Sequence, residues 1–191
     1  MSDNNMITIV SGLPRSGTSM MMRMLEMGGI PPLIDNIRKA DVDNPRGYYE
    51  FERVKKIKEG TEWLEDCKGK VVKMVSDLLF SLPTDRKYKV MFMRRNMSEM
   101  LASQKKMLDR LGNKGAGVSE DKMTELYEKH LKKIMGWLEK QDHMDVKYTW
   151  YHEILADPAT QAVEINEFLN NVLDAEKMAS AVDSSLYRNK K

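Results

Sequence analysis

The stretch "VSGLPRSGTSMMMRML", residues 10–25, runs an apolar strand end into Gly12, places a second glycine at Gly17 and starts a helical pattern at Thr18. Strand, glycine turn and helix start in this order make an anion site. The N–H groups of the turn and of the first helical turn converge, and the helix dipole adds about half a positive charge. Gly12 and Gly17 permit a tight turn and a close approach of ligand to backbone. Thr18 and Ser19 supply hydroxyl donors, and Arg15 supplies a planar, permanently charged fork for phosphate or sulfate oxygens. The ATP and GTP loop, GxxxxGK[ST], carries a lysine after its second glycine that reaches the β- and γ-phosphates. Here Thr18 occupies that place and the cation, Arg15, lies inside the turn. The stretch "YKVMFMRR" (88–95) also ends in arginines rather than a Walker B aspartate. A ligand with one 5′-phosphate and a short anionic extension, held without metal, suits this loop better than ATP with Mg²⁺.

Outward from the loop, "MITIVS" (6–11) reads as a short buried strand and "TSMMMRMLEM" as a helix closed by Gly28 and Gly29. Residues 30–49 are punctuated by proline, glycine and polar residues and are long for a connection, which makes them a candidate functional loop. Phe51, Val54, Ile57, Thr61 and Leu64 fall at helical spacing and predict one helix over 50–66. "KVVKMV" (70–75) and "YKVMFMRR" read as strands. Asn96 with Glu99 resembles a capping box opening a helix that ends at Gly112, and "GNKGAG" (112–117) reads as a loop. Ser119 caps a long amphipathic helix to about Lys140. A last strand, "VKYTWY" (146–151), precedes a helix capped by Asp157 and begun by Pro158.

Strands alternating with helices predict a single α/β domain over residues 1–191, three layers in the P-loop NTPase manner, with a mostly parallel sheet of about four to five strands. Two helices fall between the third and fourth strands, so one of them must cross the end of the sheet.

Composition narrows the function classes. A net charge of +2 gives no global field that would call for nucleic acid or a membrane as partner, so any anion site is local. The single cysteine, Cys67, excludes an internal disulfide and fits a reducing compartment. The polar start "MSDNN" lacks a signal's basic flank, and the apolar run after it is too short for a signal core or a membrane span, so a cytoplasmic location is expected. The 17 methionines, including those of "MMMRMLEM", read as core filler rather than metal ligands. No His/Cys/carboxylate cluster has metal-ligand spacing, and His130, His143 and His152 fall on a packing stripe, in a polar turn and after a strand.

At this point the chain resembles the sulfotransferase family, whose donor is 3′-phosphoadenosine 5′-phosphosulfate (PAPS) and whose product nucleotide is 3′-phosphoadenosine 5′-phosphate (PAP). "GLPRSGTS" is similar to the family's 5′-phosphosulfate loop in the arginine form of tyrosylprotein and carbohydrate sulfotransferases. By that resemblance Gly12, Pro14, Arg15, Ser16, Gly17, Thr18 and Ser19 bind the donor. "RNMSEMLAS" (95–103) is similar to the 3′-phosphate element, which makes Arg95 and Ser103 ligands of that phosphate; Arg94 competes, but only Arg95 has the serine eight residues on. "VVKMVSDLLFSLP" (71–83) places Lys73 where the family has a strand-end lysine near the transferring group. "NPRGYYE" (44–50) and "YHEILADP" (151–158) also resemble family segments, the second of them a structural one.

The resemblance implies sulfuryl transfer from PAPS to a hydroxyl or amine of a small-molecule, carbohydrate or peptide acceptor, without metal, nucleic acid or membrane. Arg15 is the expected stabiliser of charge at the leaving oxygen and Lys73 a second candidate. Cytosolic sulfotransferases carry a histidine two residues after the lysine, where this chain has Val75, so the base is expected elsewhere: Glu50, with Glu52 and Asp35 in reserve. The basic tail with Arg188 reads first as a disordered tail and second as a segment closing over the 3′-phosphate, and the family's glycine-rich, tryptophan–lysine segment is not visible. Two other classes fit the loop alone: a P-loop kinase or nucleotide hydrolase, and a non-catalytic nucleotide-binding module.

Overall fold

The computed structural model describes residues 6–35, 37, 47–110, 112 and 118–183. Half of the 30–49 loop, the "GNKGAG" loop beyond Gly112 and the tail with Arg188 lie outside the described residues.

Four strands, β1 (Met6–Gly12), β2 (Val71–Lys73), β3 (Lys87–Arg94) and β4 (Met144–Trp150), form one sheet in the order β2-β1-β3-β4. All three pairings are parallel, with Val10 opposite Lys73, Gly12 opposite Met93 and Met93 opposite Thr149. The expected parallel α/β sheet is thus present with four strands. Successive side chains of a strand point to opposite faces, and β1 and β3 obey this period. Ile7, Ile9, Tyr88, Val90 and Phe92 enter one core, whereas Val10, Met91 and Met93 enter the other.

The second core is closed by four helices: α1 (Thr18–Gly28), α5 (Tyr151–Ala156), α6 (Pro158–Phe168) and α7 (Ala175–Ser180). Met21, Met22 and Met24 of α1 are fully buried there, as core filler. The first core is closed by α2 (Glu52–Lys55), by 3-10 turns at Glu62–Cys67 and Ser76–Ser81, and by α4 (Glu120–Leu138) through Ile134 and Leu138.

One expected element is different. The helix over 50–66 is two short pieces, α2 and the first 3-10 turn, joined through Gly60. Glycine is the weakest helix residue after proline, and here the Gly60 carbonyl accepts the indole N–H of Trp63 at 3.2 Å instead of continuing a helix. Val54, Ile57 and Leu64 still reach the core, so the apolar spacing held while the helix did not. The last strand also starts earlier and ends at Trp150, with Tyr151 opening α5.

The crossing helix is α3 (Met97–Arg110): its buried Met100 and Leu101 belong to neither core. α3 therefore sits off the carboxyl edge of the sheet, where Gly12, Lys73, Arg94 and Trp150 end their strands. No helix among the described residues is long and apolar enough to cross a membrane.

Trp63 is 2% exposed and meets Phe51 edge-on at 5.7 Å between ring centroids. Trp63→Ala is expected to lower stability by about 3–5 kcal/mol, measured by urea denaturation, and loss of less than about 1 kcal/mol would show that this part of the core collapses around the gap.

Candidate functional site

The carboxyl edge of a parallel sheet is where α/β folds gather ligands, and the expected site residues converge there. Gly12 ends β1 with φ 150°, and a Cβ at this position would lie 2.7 Å from the Met93 carbonyl oxygen. Arg15 and Gly17 follow with φ 67° and 101°. A Cβ on Gly17 would run into the Tyr151 ring. Both glycines are therefore required by the packing of the protein on itself, in addition to any ligand. The first helical hydrogen bonds are those of Met20 and Met21 N–H to the Gly17 carbonyl, at 3.0 and 3.2 Å. Thr18 and Ser19 thus form the first turn, where helix N–H groups have no partner within the helix. Pro14 is exposed. Ser16 is 1% exposed and its Oγ has no protein partner, as is also true of the buried Ser11 hydroxyl on β1.

The two separated basic elements meet directly. Arg95 Nη1 donates to the Arg15 carbonyl at 3.2 Å, across 80 residues of sequence. Arg15 Nε donates to Ser103 Oγ at 2.9 Å, across 88 residues. Arg15 therefore links the loop to α3 rather than standing apart from the Arg95–Ser103 pair. Arg94 goes elsewhere: its guanidinium lies 4.6 Å from the Trp150 ring and Nη1 reaches Met135 Sδ at 3.2 Å.

Two residues that hold Arg95 were not assigned to the site on sequence grounds. Glu99 Oε2 accepts from Arg95 Nε at 3.2 Å, with both side chains about one-tenth exposed. The capping box is consequently half formed: Asn96 Oδ1 accepts from Ser98 N–H at 3.0 Å and Glu99 N–H at 3.4 Å, while the Glu99 carboxylate turns to Arg95. An acidic residue four after the arginine is part of the 3′-phosphate element that 95–103 resembles, and the i,i+4 spacing is what lets the two side chains meet. Tyr151, in a segment taken as structural, lies under Arg95, with the guanidinium 4.4 Å from its ring centroid. Burial pushes the Tyr151 hydroxyl pKa upward against the pull of Arg95, which leaves a neutral ring as a cation–π platform.

The other half of the edge carries Lys73 and Glu50. Lys73 ends β2, and its ammonium donates to the Tyr48 carbonyl. Glu50, two residues on, pairs with Lys55 at 3.2 Å. The reserve Asp35 has a different task. It accepts from Glu52 N–H at 2.6 Å and Ile37 N–H at 3.0 Å. These backbone bonds, the first above all, hold its carboxyl below the usual range, so it acts as a clamp at the start of α2 and is a poor proton acceptor. His130, placed on a packing stripe, contacts Ser76 Oγ through Nε2 at 2.8 Å. Among the described residues no group of three His, Cys, Asp or Glu could hold a metal ion.

Comparison with known proteins establishes the family. The sulfotransferase domain family model matches residues 7–191.

The chain belongs to the sulfotransferase family.

Two solved sulfotransferase structures with TM-scores above 0.5 share the fold. The sulfotransferase domain from the curacin biosynthetic pathway superposes with a TM-score of 0.53 at 14% identity, over 96% of this chain and 86% of that one. Mouse sulfotransferase SULT7A1 complexed with PAP gives 0.52 at 15% identity, over 96% of this chain and 64% of that one. A sulfotransferase from Alicyclobacillus acidocaldarius gives 0.48 at 16% identity, over 85% and 80%. No curated protein matches the chain by sequence. In this sulfotransferase, Gly17→Ala places a left-handed, crowded alanine against Tyr151. It is expected to cost about 1–3 kcal/mol, read as a lowered unfolding midpoint. An unchanged midpoint would show that the loop re-forms without its turn.

Proposed function

We propose that the chain is a PAPS-dependent sulfotransferase that moves a sulfuryl group to a hydroxyl or amine of a small-molecule, carbohydrate or peptide acceptor, by in-line displacement without a metal. The observation that carries this reading is the meeting of Arg15, Arg95 and Ser103 at one edge of the sheet. It sets two guanidinium groups and a buried hydroxyl beside a helix N-terminus. A nucleotide with anionic groups at both ends of its ribose needs this combination of charge and spacing.

The residues present fit such a donor. The orphaned, buried Ser16 hydroxyl belongs to the same turn as Arg15 and Gly17. When bound, PAPS supplies the activated sulfuryl group and a phosphate leaving group. Amides of the turn and of Thr18 and Ser19 hold its 5′ end, with the Ser16, Thr18 and Ser19 hydroxyls as further donors. Arg95 and Ser103 hold the 3′-phosphate. Arg15, which belongs to the loop by its backbone and touches Ser103 by its side chain, neutralises charge growing on the leaving oxygen. Lys73, at the end of the neighbouring strand, assists from the other side. Glu50 takes the proton from the acceptor, with Lys55 3.2 Å from its carboxylate.

Thermal unfolding tests the donor assignment. At ten times Kd, 3′,5′-adenosine bisphosphate is expected to add about 1.4 kcal/mol of stability, with or without EDTA, and Arg95→Ala is expected to remove most of this gain. Stabilisation by ATP with Mg²⁺ and none by the bisphosphate contradicts the assignment.

A further inference from the structure

Four non-glycine residues among those described have left-handed backbone: Arg15, Tyr49, Asn170 and Asn171. The asparagines lie in the turn after α6, and asparagine tolerates this conformation. Arg15 belongs to the anion loop. Tyr49, with φ 52°, is a bulky aromatic in a region such residues rarely enter. Strain of this kind persists only where the surroundings over-determine it.

The surroundings of Tyr49 do so. Its ring is buried in the α1-side core, and its hydroxyl donates to Glu26 Oε2 at 2.6 Å. Burial and the Glu26 contact push the hydroxyl to about 12, so it remains a donor at neutral pH. The residues on either side face other tasks. The Tyr48 carbonyl accepts from Lys73, the Glu50 carbonyl accepts from Asp35 N–H at 3.3 Å, and the Glu50 carboxylate meets Lys55. The left-handed turn thus sends one ring into the α1 layer while its two neighbours serve the strand-end lysine and the start of α2. Glu26 lies on the helix whose first turn forms the anion loop.

We propose that Tyr49 is a positioning residue for transfer: clamped to α1 by Glu26, it fixes Lys73 and Glu50 relative to the donor loop. This rests on the transferase reading above. A rigid helix then references both halves of the site, the donor half by its N-terminus and the acceptor half by Glu26. Misplacing a catalytic group by about 1 Å costs on the order of 100-fold in rate.

The test is release of PAP from PAPS, with water and with 4-nitrophenol as acceptors. Tyr49→Phe is expected to lower kcat by roughly 10- to 100-fold with KM for PAPS unchanged. Glu26→Gln, which keeps an oxygen acceptor, stays near wild type, whereas Glu26→Ala matches Tyr49→Phe. In a Glu50→Gln background Tyr49→Phe has little further effect, an outcome that a merely structural tyrosine does not produce. Wild-type kcat in Tyr49→Phe, or full additivity with Glu50→Gln, overturns the proposal. If Glu50→Gln is itself inert, Glu50 is not the base, and the same cycle is read against Lys73→Met. If wild type releases no PAP, the transferase reading fails on these acceptors and hydrogen exchange decides the clamp. Tyr49→Phe is expected to speed exchange over residues 47–52 at least about 10-fold while residues 12–17 are unchanged, and unaltered exchange over 47–52 overturns it.

Discussion

The guanidinium of Arg95 is the point on which the site depends. It is stacked on Tyr151, paired with Glu99 and bonded to the Arg15 carbonyl, so three elements converge on one planar cation. Each contact constrains a different freedom. The ring fixes the plane of the guanidinium, the carboxylate fixes its rotation about the side chain, and the carbonyl fixes the anion loop against it. A buried cation is costly unless it is paired, and Glu99 meets that need. Tyr151 performs a second service, because the same ring occupies the space that a side chain at position 17 would need. The loop conformation and the arginine orientation are therefore one packing problem with one solution.

The sheet supplies the frame. β1 lies between β2 and β3, so the anion loop that leaves β1 stands between the strand ends carrying Lys73 and Arg94–Arg95. A parallel sheet with both faces covered places its chemistry at the carboxyl edge. α3 extends that edge by leaving the faces altogether, and it brings Ser103 to the loop and Glu99 to Arg95. On the opposite flank the Tyr48–Tyr49–Glu50 segment is fastened to α1 and to β2. The anion loop and the Tyr48–Glu50 segment thus share α1 as a reference.

Legibility from sequence followed the range of the determinants. β1, the loop and α1 were readable because alternation, glycine placement and helical period are local properties, and the parallel sheet followed from the order of elements. Arg95 and Ser103 are assigned to the site only by resemblance to a family, and their contact with Arg15 spans 80 and 88 residues and has no local signature. Tyr151 was set aside as structural for the same reason: its partner lies on another strand's end. The helix expected over 50–66 is absent because apolar spacing alone does not distinguish one helix from two short turns that bury the same residues. Gly60 is the residue that divides them. Asp35 was legible as an acid but not as a clamp, since its backbone partners at Glu52 and Ile37 depend on how the loop returns.

The most direct measurement is a crystal structure with 3′,5′-adenosine bisphosphate bound. The account requires the 5′-phosphate over the amides of residues 15–19 and the 3′-phosphate against Arg95 and Ser103, with Tyr151 still beneath the guanidinium. A nucleotide bound away from the 12–19 turn, or Arg95 and Ser103 facing away from its ribose phosphate, would contradict it.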